Sequence, residues 1–160
     1  MKKIVLYAIL FLALATGITG WIYSNAMSPV RAAEQKAVQI AREEAGIIKT
    51  DRFYLYNLYN DFETVYVVMG TNKKDQEVIA WIPEKGGETV VRKIEDGVTK
   101  SQAKNKVQKE KKPKKIISVR PGMENGVPFW EVYYTSEDGL LNYYYVYFDT
   151  GDMYKLIRDL

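Results

Sequence analysis

The sequence contains neither cysteine nor histidine among its 160 residues. Without cysteine, the chain can form no disulfide, has no thiol nucleophile and offers no site for a lipoprotein anchor. Without histidine, it lacks the most common general base and the most common zinc ligand in proteins. EF-hand spacing is also absent. We therefore expect no metal, no cofactor and no enzymatic activity, and we expect the protein to act by binding.

The N-terminus carries an apolar run from Ile4 to Tyr23. A helix of about twenty apolar residues spans the hydrocarbon core of a bilayer. Lys2 and Lys3 precede the run and favour a cytoplasmic N-terminus, so the rest of the chain is predicted to lie outside the cytoplasm. Trp21 stands where an aromatic belt would meet the outer interface. The run predicts a single-pass protein of the cell membrane.

A cleaved signal peptide is the rival interpretation of this run. Small residues stand at Ser24-Asn25-Ala26, where cleavage would be suitable. However, the apolar core of a signal peptide is usually only about 7–15 residues long. The length of the run favours a retained anchor.

The rest of the chain shows one pattern twice, a helix followed by three strands and a short fourth. The first helix is predicted to begin at Ser28-Pro29 and to stop at Gly46. The second begins at Thr99, where Gln102 completes a capping box, and ends before Pro113. Strands are predicted at 53–59, 62–69, 78–82, 89–93, 116–120, 129–134, 140–148 and 153–157, with turns at Asn60-Asp61, Pro121-Gly122, Asn125-Gly126, Asp138-Gly139 and 149–152.

The predicted fold class is α+β, with a transmembrane helix followed by two tandem helix-plus-antiparallel-sheet modules. We expect an anchor over residues 1–23, a first module over 24–94 and a second over 95–160. A helix on one face of a sheet is a stable two-layer arrangement. Because each module is small for independent stability, the two are expected to share an interface.

Two short matches to catalytic motifs are better explained as local structure. Asp149-Thr150-Gly151 matches the aspartic protease triplet, but that chemistry needs two such aspartates and a turn is wanted here between two strands. Ser101-Gln102-Ala103-Lys104 matches S-x-x-K, yet the accompanying S-D-N and K-T-G elements are missing. Neither match predicts catalysis.

Aromatic side chains on the last strands form a candidate binding surface. Strand alternation places the side chains of neighbouring strands on one face, and that face carries Phe129, Tyr133, Tyr143, Tyr145 and Tyr147. Glu131, which shares the alternation, marks this face as the more open one. Exposed aromatic patches are typical of protein interfaces, although the first module could equally cover this face.

Lysine dominates residues 100–115. Eight lysines accompany a single acid, Glu110, and Lys104, Lys109, Lys111 and Lys112 are the candidates for contact with an anionic surface. A solvated helix face is the simpler interpretation, and attraction to lipid headgroups or to an anionic wall polymer is the alternative. Nucleic acid, the usual partner of a basic run, is not expected for an exported domain.

The layout resembles a known family. Trp130-Glu131-Val132-Tyr133-Tyr134 followed by the closing turn Tyr147-Phe148-Asp149-Thr150-Gly151-Asp152 resembles the PepSY module, which is cystatin-like. Two such units behind an uncleaved N-terminal helix resemble the cell wall elongation regulator TseB-like (YpmB-like) proteins of Gram-positive bacteria. The lysine-rich second helix is the one departure from that pattern.

The resemblance implies a membrane-anchored regulator of cell-wall elongation that binds a penicillin-binding transpeptidase and carries no catalytic residues. Because PepSY modules resemble inhibitory segments of peptidases, a peptidase-inhibitory module is the alternative function. A polyanion-binding or membrane-surface module is a further alternative.

Overall fold

The computed structural model describes residues 2–57 and 63–160 and confirms an α+β architecture. The predicted turn Asn60-Asp61 lies outside these residues. Residues 1–36 and residues 37–160 form separate compact units. The elements in chain order are α1 (Lys2–Glu44), β1 (Ile47–Asn57), β2 (Thr64–Asn72), β3 (Glu77–Pro83), β4 (Val90–Lys93), a 3₁₀ turn (Ile94–Asp96), α2 (Lys100–Lys111), β5 (Lys115–Glu124), β6 (Val127–Thr135), β7 (Leu141–Tyr147) and β8 (Met153–Ile157).

Helix α1 is continuous, so the prediction of a separate helix beginning at Ser28-Pro29 is wrong. Pro29 lies inside the helix. No helix-breaking residue stands between Tyr23 and Ser28, so the apolar helix continues through this segment and Pro29 removes only one backbone hydrogen bond. The predicted stop is confirmed, since α1 ends at Glu44 and Gly46 has a positive φ of 66°.

The N-terminal part of α1 is long and apolar enough to cross a membrane. Its large apolar side chains, among them Phe11, Leu12 and Trp21, are exposed in the structure. A surface of this kind is suited to lipid and poorly suited to water. Length, composition and exposure therefore agree with a single-pass anchor.

Residues 37–160 contain two antiparallel four-stranded sheets, in the orders β1-β2-β3-β4 and β5-β6-β7-β8. The prediction of a turn at Pro121-Gly122 is wrong, because β5 continues to Glu124 and turns at Asn125-Gly126, both with positive φ. Gly122 is needed for close packing: an added Cβ would lie 2.6 Å from Phe129 Cε2 and 2.9 Å from Tyr56 Cε2.

One hydrophobic core joins the two sheets. Val67 and Trp81 from the first sheet belong to the same buried cluster as Val132 and Phe148 from the second. The Trp81 and Phe148 rings meet edge to face with centroids 5.1 Å apart. The expected interface between the modules is thus present as a continuous core.

The two helices contact the two sheets in different ways. Outside the shared core, the buried apolar side chains of the described residues are Ala37, Ala41, Ile47, Tyr66, Val68, Val78, Ala80 and Ile82. This set combines residues from the end of α1 with residues of the first sheet, which indicates that the last turns of α1 cover the outer face of that sheet. On the second sheet, α2 buries Ala103 and Val107 in the shared core.

The predicted capping box of α2 is confirmed. Gln102 N donates to Thr99 Oγ1 at 3.3 Å, and Thr99 N donates to Gln102 Oε1 at 2.7 Å. Lys112 ends the helix in the left-handed region, directly before Pro113. These local interactions set the two ends of α2.

A buried carboxylate connects the two sheets. Glu131 on β6 is only 3% exposed and accepts a hydrogen bond from Tyr56 Oη of β1 at 2.9 Å. Its other oxygen accepts from Arg120 Nη2 at 2.6 Å and Nε at 3.2 Å. Burial lowers the pKa of Arg120, but the hydrogen bond and charge of Glu131 outweigh burial, and the pKa lies above its ordinary value. We call Tyr56, Arg120 and Glu131 the carboxylate junction.

Replacing Tyr56 with Phe should lower the free energy of unfolding by about 2 kcal/mol, because a hydrogen bond to a charged group contributes about that much. Urea denaturation of the full chain in detergent measures the loss. Tyr66→Phe is the matched control, since Tyr66 donates to Glu84 at 2.6 Å but Glu84 is exposed. Equal losses in the two variants would contradict the role given to burial of Glu131.

Alkaline pH should destabilise the fold. Burial raises the pKa of Tyr66 to about 12 and raises that of Tyr56 further above the ordinary 10.0. Because the folded-state pKa is raised, each protonated phenol stabilises the fold fully below about pH 10, and this contribution is lost as the pH rises through the folded-state pKa. Urea unfolding between about pH 8 and 12 should show this fall, and Tyr66→Phe should flatten it. An unchanged pH dependence in Tyr66→Phe would refute the assignment.

Candidate functional site

The aromatic side chains predicted to share a face do so. In the β6–β7 register Tyr133 pairs with Tyr143, Glu131 with Tyr145 and Phe129 with Tyr147. Since directly paired residues point to the same side of a sheet, these side chains form one surface. We call Phe129, Tyr133, Tyr143, Tyr145 and Tyr147 the tyrosine face.

Three tyrosines of this face form a ladder of rings. The Tyr133 and Tyr143 rings stack with centroids 4.5 Å apart and an interplanar angle of 15°. The Tyr143 and Tyr145 rings continue the ladder at 6.5 Å. Tyr133 and Tyr143 are half-buried, so the ladder presents aromatic surface and phenol groups to solvent.

The first sheet covers one end of the tyrosine face and leaves the other open. Phe129 is fully buried, because the rings of Tyr56 and Tyr154 each lie 5.6 Å from it. Tyr145 is 8% exposed. Phe129 therefore supports the surface but offers no area to a partner, which corrects its assignment as a contact residue. Accessible area remains on Tyr133, Tyr143 and Tyr147, which are half-buried, and the stacked pair of Tyr133 and Tyr143 offers two adjacent rings.

Glu131 does not mark an open surface, which corrects the sequence-based interpretation. Its carboxylate lies under the tyrosine face within the carboxylate junction. Strand alternation shows which face a residue occupies, but it cannot show that a side chain from the other sheet will reach it. Tyr56, 75 positions away in the sequence, covers Glu131.

A groove of about 550 Å³ opens beside the ladder, between the first sheet and β8. It is lined by Tyr56, Asn57, Arg120, Glu124, Glu131, Tyr143, Tyr145, Lys155, Ile157 and Leu160. Sequence reasoning missed Tyr56, Arg120, Glu124 and Lys155, since they come from three strands with no shared motif. The pairing of β5 with β6 and of β7 with β8 places Arg120, Glu124 and Lys155 in one sheet, and the contact between the two sheets adds Tyr56.

The charges of the groove compensate one another. Arg120 pairs with Glu131, and Lys155 Nζ lies 3.4 Å from Glu124 Oε1. Burial, assisted by the charge of Glu131, raises the pKa of Tyr145, and burial assisted by Tyr133 raises that of Tyr143. These phenols stay protonated at neutral pH and act as hydrogen-bond donors. The groove can therefore bind aromatic, aliphatic and hydrogen-bonding groups.

The candidate lysines of the second helix are all on the surface. Lys104, Lys109, Lys111 and Lys112 are exposed. Lys111 Nζ lies 5.5 Å from the centroid of the Tyr144 ring. The positive surface is thus available, on the side of the second sheet that faces away from the tyrosine face.

The residues of the two catalytic-motif matches have structural roles. Asp149 accepts from Arg92 Nε at 3.1 Å, and Gly151 takes a positive φ of 79° in the turn before β8. Ser101 is exposed in the first turn of α2. Within residues 2–57 and 63–160, no three acidic side chains come together as a metal site.

Comparisons with known proteins find matches to two family models and to a curated relative. Residues 36–83 match the family model of the cell wall elongation regulator TseB-like domain, and residues 97–151 match that of the peptidase propeptide and YPEB domain, PepSY. The chain is 28% identical over 154 residues to the probable cell wall elongation regulator TseB of Bacillus subtilis (strain 168), covering 96% of this chain and 93% of that protein.

The fold agrees as well. The solved structure of the YpmB protein from Bacillus subtilis superposes with a TM-score of 0.72 at 27% identity, covering 78% of this chain and 95% of that one. The first match begins in the last turns of α1 and the second just before α2, so each begins at the helix of one module. The chain thus carries a match to a TseB-like domain followed by a match to a PepSY domain, and it is similar to TseB of Bacillus subtilis over nearly its whole length.

Proposed function

We propose that the protein is a membrane-anchored, non-enzymatic regulator of cell-wall elongation that binds a penicillin-binding transpeptidase outside the cytoplasm. The Bacillus subtilis relative is named a probable cell wall elongation regulator, which supports the process. The anchor over residues 1–23 and the modules over 24–94 and 95–160 are part of this proposal.

The observation that carries the proposal is the open end of the tyrosine face beside the groove. Tyr133 and Tyr143 present stacked rings, and Arg120 presents a half-exposed guanidinium at the adjacent rim. Tyr and Arg are enriched at the energetic centres of protein interfaces, because each combines a large contact area with hydrogen-bonding groups. The shared core holds the two sheets together, so the surface needs little ordering on binding.

The orientation follows from the charges beside the anchor. Lys2 and Lys3 precede the apolar run, and lysines flanking a membrane helix favour the cytoplasmic side. Residues 37–160 then lie on the side where cell-wall elongation takes place. The anchor restricts the regulator to the membrane surface, which raises its effective concentration towards a membrane-bound partner.

A non-enzymatic mechanism is supported by the state of Glu131. A general acid or base needs a carboxylate that can reach a substrate proton. The oxygens of Glu131 are already occupied by Tyr56 and Arg120, and the residue is only 3% exposed where it lines the groove. The residues of the groove can orient and hold a partner.

A peptidase-inhibitory function is the second candidate, because residues 97–151 match a family described as a peptidase propeptide domain. Under this alternative, the purified chain would slow an envelope peptidase. It would leave transpeptidase binding undetected.

Replacing Tyr143 with Ala should weaken binding to the transpeptidase by about tenfold or more, since a central interface tyrosine contributes on the order of 1–2 kcal/mol. The measurement uses the full chain in detergent and the purified elongation transpeptidases of the same organism. Phe53→Ala is the matched control, because Phe53 is also half-buried and packs on a tyrosine, 6.1 Å away, but lies on the first sheet.

A photoreactive residue at Tyr133 in living cells supplies the second readout. Cross-linking to a transpeptidase from Tyr133 but not from Phe53 is the expected result. Absence of any transpeptidase complex, or equal weakening by Tyr143→Ala and Phe53→Ala, would overturn the proposed function.

A further inference from the structure

Residues 100–115 carry a charge opposite to that of the rest of the chain. The segment contains eight lysines and one glutamate, a formal charge of +7, whereas the whole chain has a net charge of +3. The remaining residues therefore sum to −4. We call the lysines of residues 100–115 the lysine surface; they are Lys100, Lys104, Lys106, Lys109, Lys111, Lys112, Lys114 and Lys115.

The lysines of α2 lie on both flanks of its buried side. With Ala103 and Val107 against the sheet, Lys100, Lys104 and Lys111 fall on one flank by helical spacing. Lys106 falls on the other flank, beside Gln102. The side of α2 opposite Ala103 and Val107 carries Ser101, Asn105, Gln108 and Lys109.

Almost none of this charge is neutralised within the protein. Glu110 is the one acid of the segment, and it already binds Lys106 at 2.8 Å and accepts from Tyr144 Oη at 2.6 Å. In the part of the chain that the structure describes, none of the other seven lysines forms an ion pair. Exposed helices usually alternate acids and bases at i, i+4, whereas Lys100 and Lys104 repel each other at that spacing. A solvated helix face gains nothing from this repulsion.

The solvent side of α2 also has free hydrogen-bond donors. A shallow depression of about 460 Å³ is lined by Gln102, Asn105, Lys106, Lys109 and Glu110. Gln102 uses its Oε1 in the capping box, so its amide nitrogen remains directed to other partners. Ammonium and amide donors side by side suit the oxygens of a phosphate group.

We propose that the lysine surface binds a linear phosphodiester polymer of the cell envelope. The charges extend along a helix of about 18 Å, which no small anion can span. A lipid surface fits less well, because interfacial helices insert an apolar face and the apolar side of α2 is buried on the sheet. The location of the lysine surface outside the cytoplasm rests on the orientation given in the proposed function, but binding of the polymer does not depend on it.

The test measures binding of a fluorescent glycerol phosphate polymer to the full chain in zwitterionic detergent. The wild-type chain should bind, and its affinity should fall about tenfold or more between about 50 and 200 mM salt, because each phosphate contact releases a counterion. Lys104→Glu, Lys109→Glu and Lys112→Glu together should weaken binding at least tenfold. The corresponding triple arginine variant should bind as the wild type does.

A triple reversal of Lys73, Lys74 and Lys85 is the matched control, since these lysines are equally exposed, lie in turns of the first sheet and change the net charge by the same amount. This control should retain most of the affinity. The proposal is overturned if the wild type does not bind at low salt or if both reversals weaken binding equally. Tighter binding to duplex RNA than to the polymer, or binding to anionic vesicles alone, would also overturn it.

These outcomes are separable from those for the regulator function. Loss of transpeptidase binding in Tyr143→Ala should leave polymer affinity unchanged, because the neighbouring Tyr144 contacts Glu110 of α2 and strand alternation places Tyr143 on the opposite face. Failure of polymer binding likewise leaves the transpeptidase measurements intact.

Discussion

The carboxylate of Glu131 constrains how the two sheets can be arranged. A buried carboxylate is costly unless it is paired and hydrogen-bonded. Arg120 supplies the charge from the neighbouring strand, and Tyr56 supplies a hydrogen bond from the other sheet. Sliding one sheet over the other would break the Tyr56 bond while leaving the carboxylate buried. The junction therefore fixes the relative position of the sheets, which hydrophobic contacts alone would leave less specific.

The position of the sheets in turn shapes the candidate binding site. Tyr56 covers Phe129 and Glu131 but does not extend over the Tyr133 end of the face. The groove forms where this coverage ends, and compensated charges line it. A partner would consequently meet a preformed surface with aromatic rings at its centre and hydrogen-bonding groups at its rim.

The second sheet separates two surfaces of different chemistry. One face carries the tyrosine ladder, and the other packs against α2, whose outer side carries the lysine surface. As proposed, one surface binds through contact area and hydrogen bonds, and the other through charge. Their ionic-strength dependence differs for that reason, since salt screens exposed charges far more than buried apolar contacts. Both can be occupied at once in the proposed function.

Local signals in the sequence determined most of the elements. Alternation, turn residues and the Thr99 capping box predicted the succession of strands along the chain, the ends of α2 and the shared face of Tyr133, Tyr143, Tyr145 and Tyr147. Local signals failed where a residue was required for a tertiary packing contact. Gly122 resembles a turn residue, but it lies within β5 because two rings pack against its backbone.

The sequence by itself thus determined the apolar N-terminal helix, the two sets of four strands and the excess of lysine, since periodicity, length and charge are properties of neighbouring residues. Tertiary structure alone decided which end of the tyrosine face is open, that Glu131 is buried, and that Arg120, Glu124 and Lys155 share a groove with Tyr56. These outcomes depend on contacts between residues far apart in the chain, and no local pattern encodes such distances.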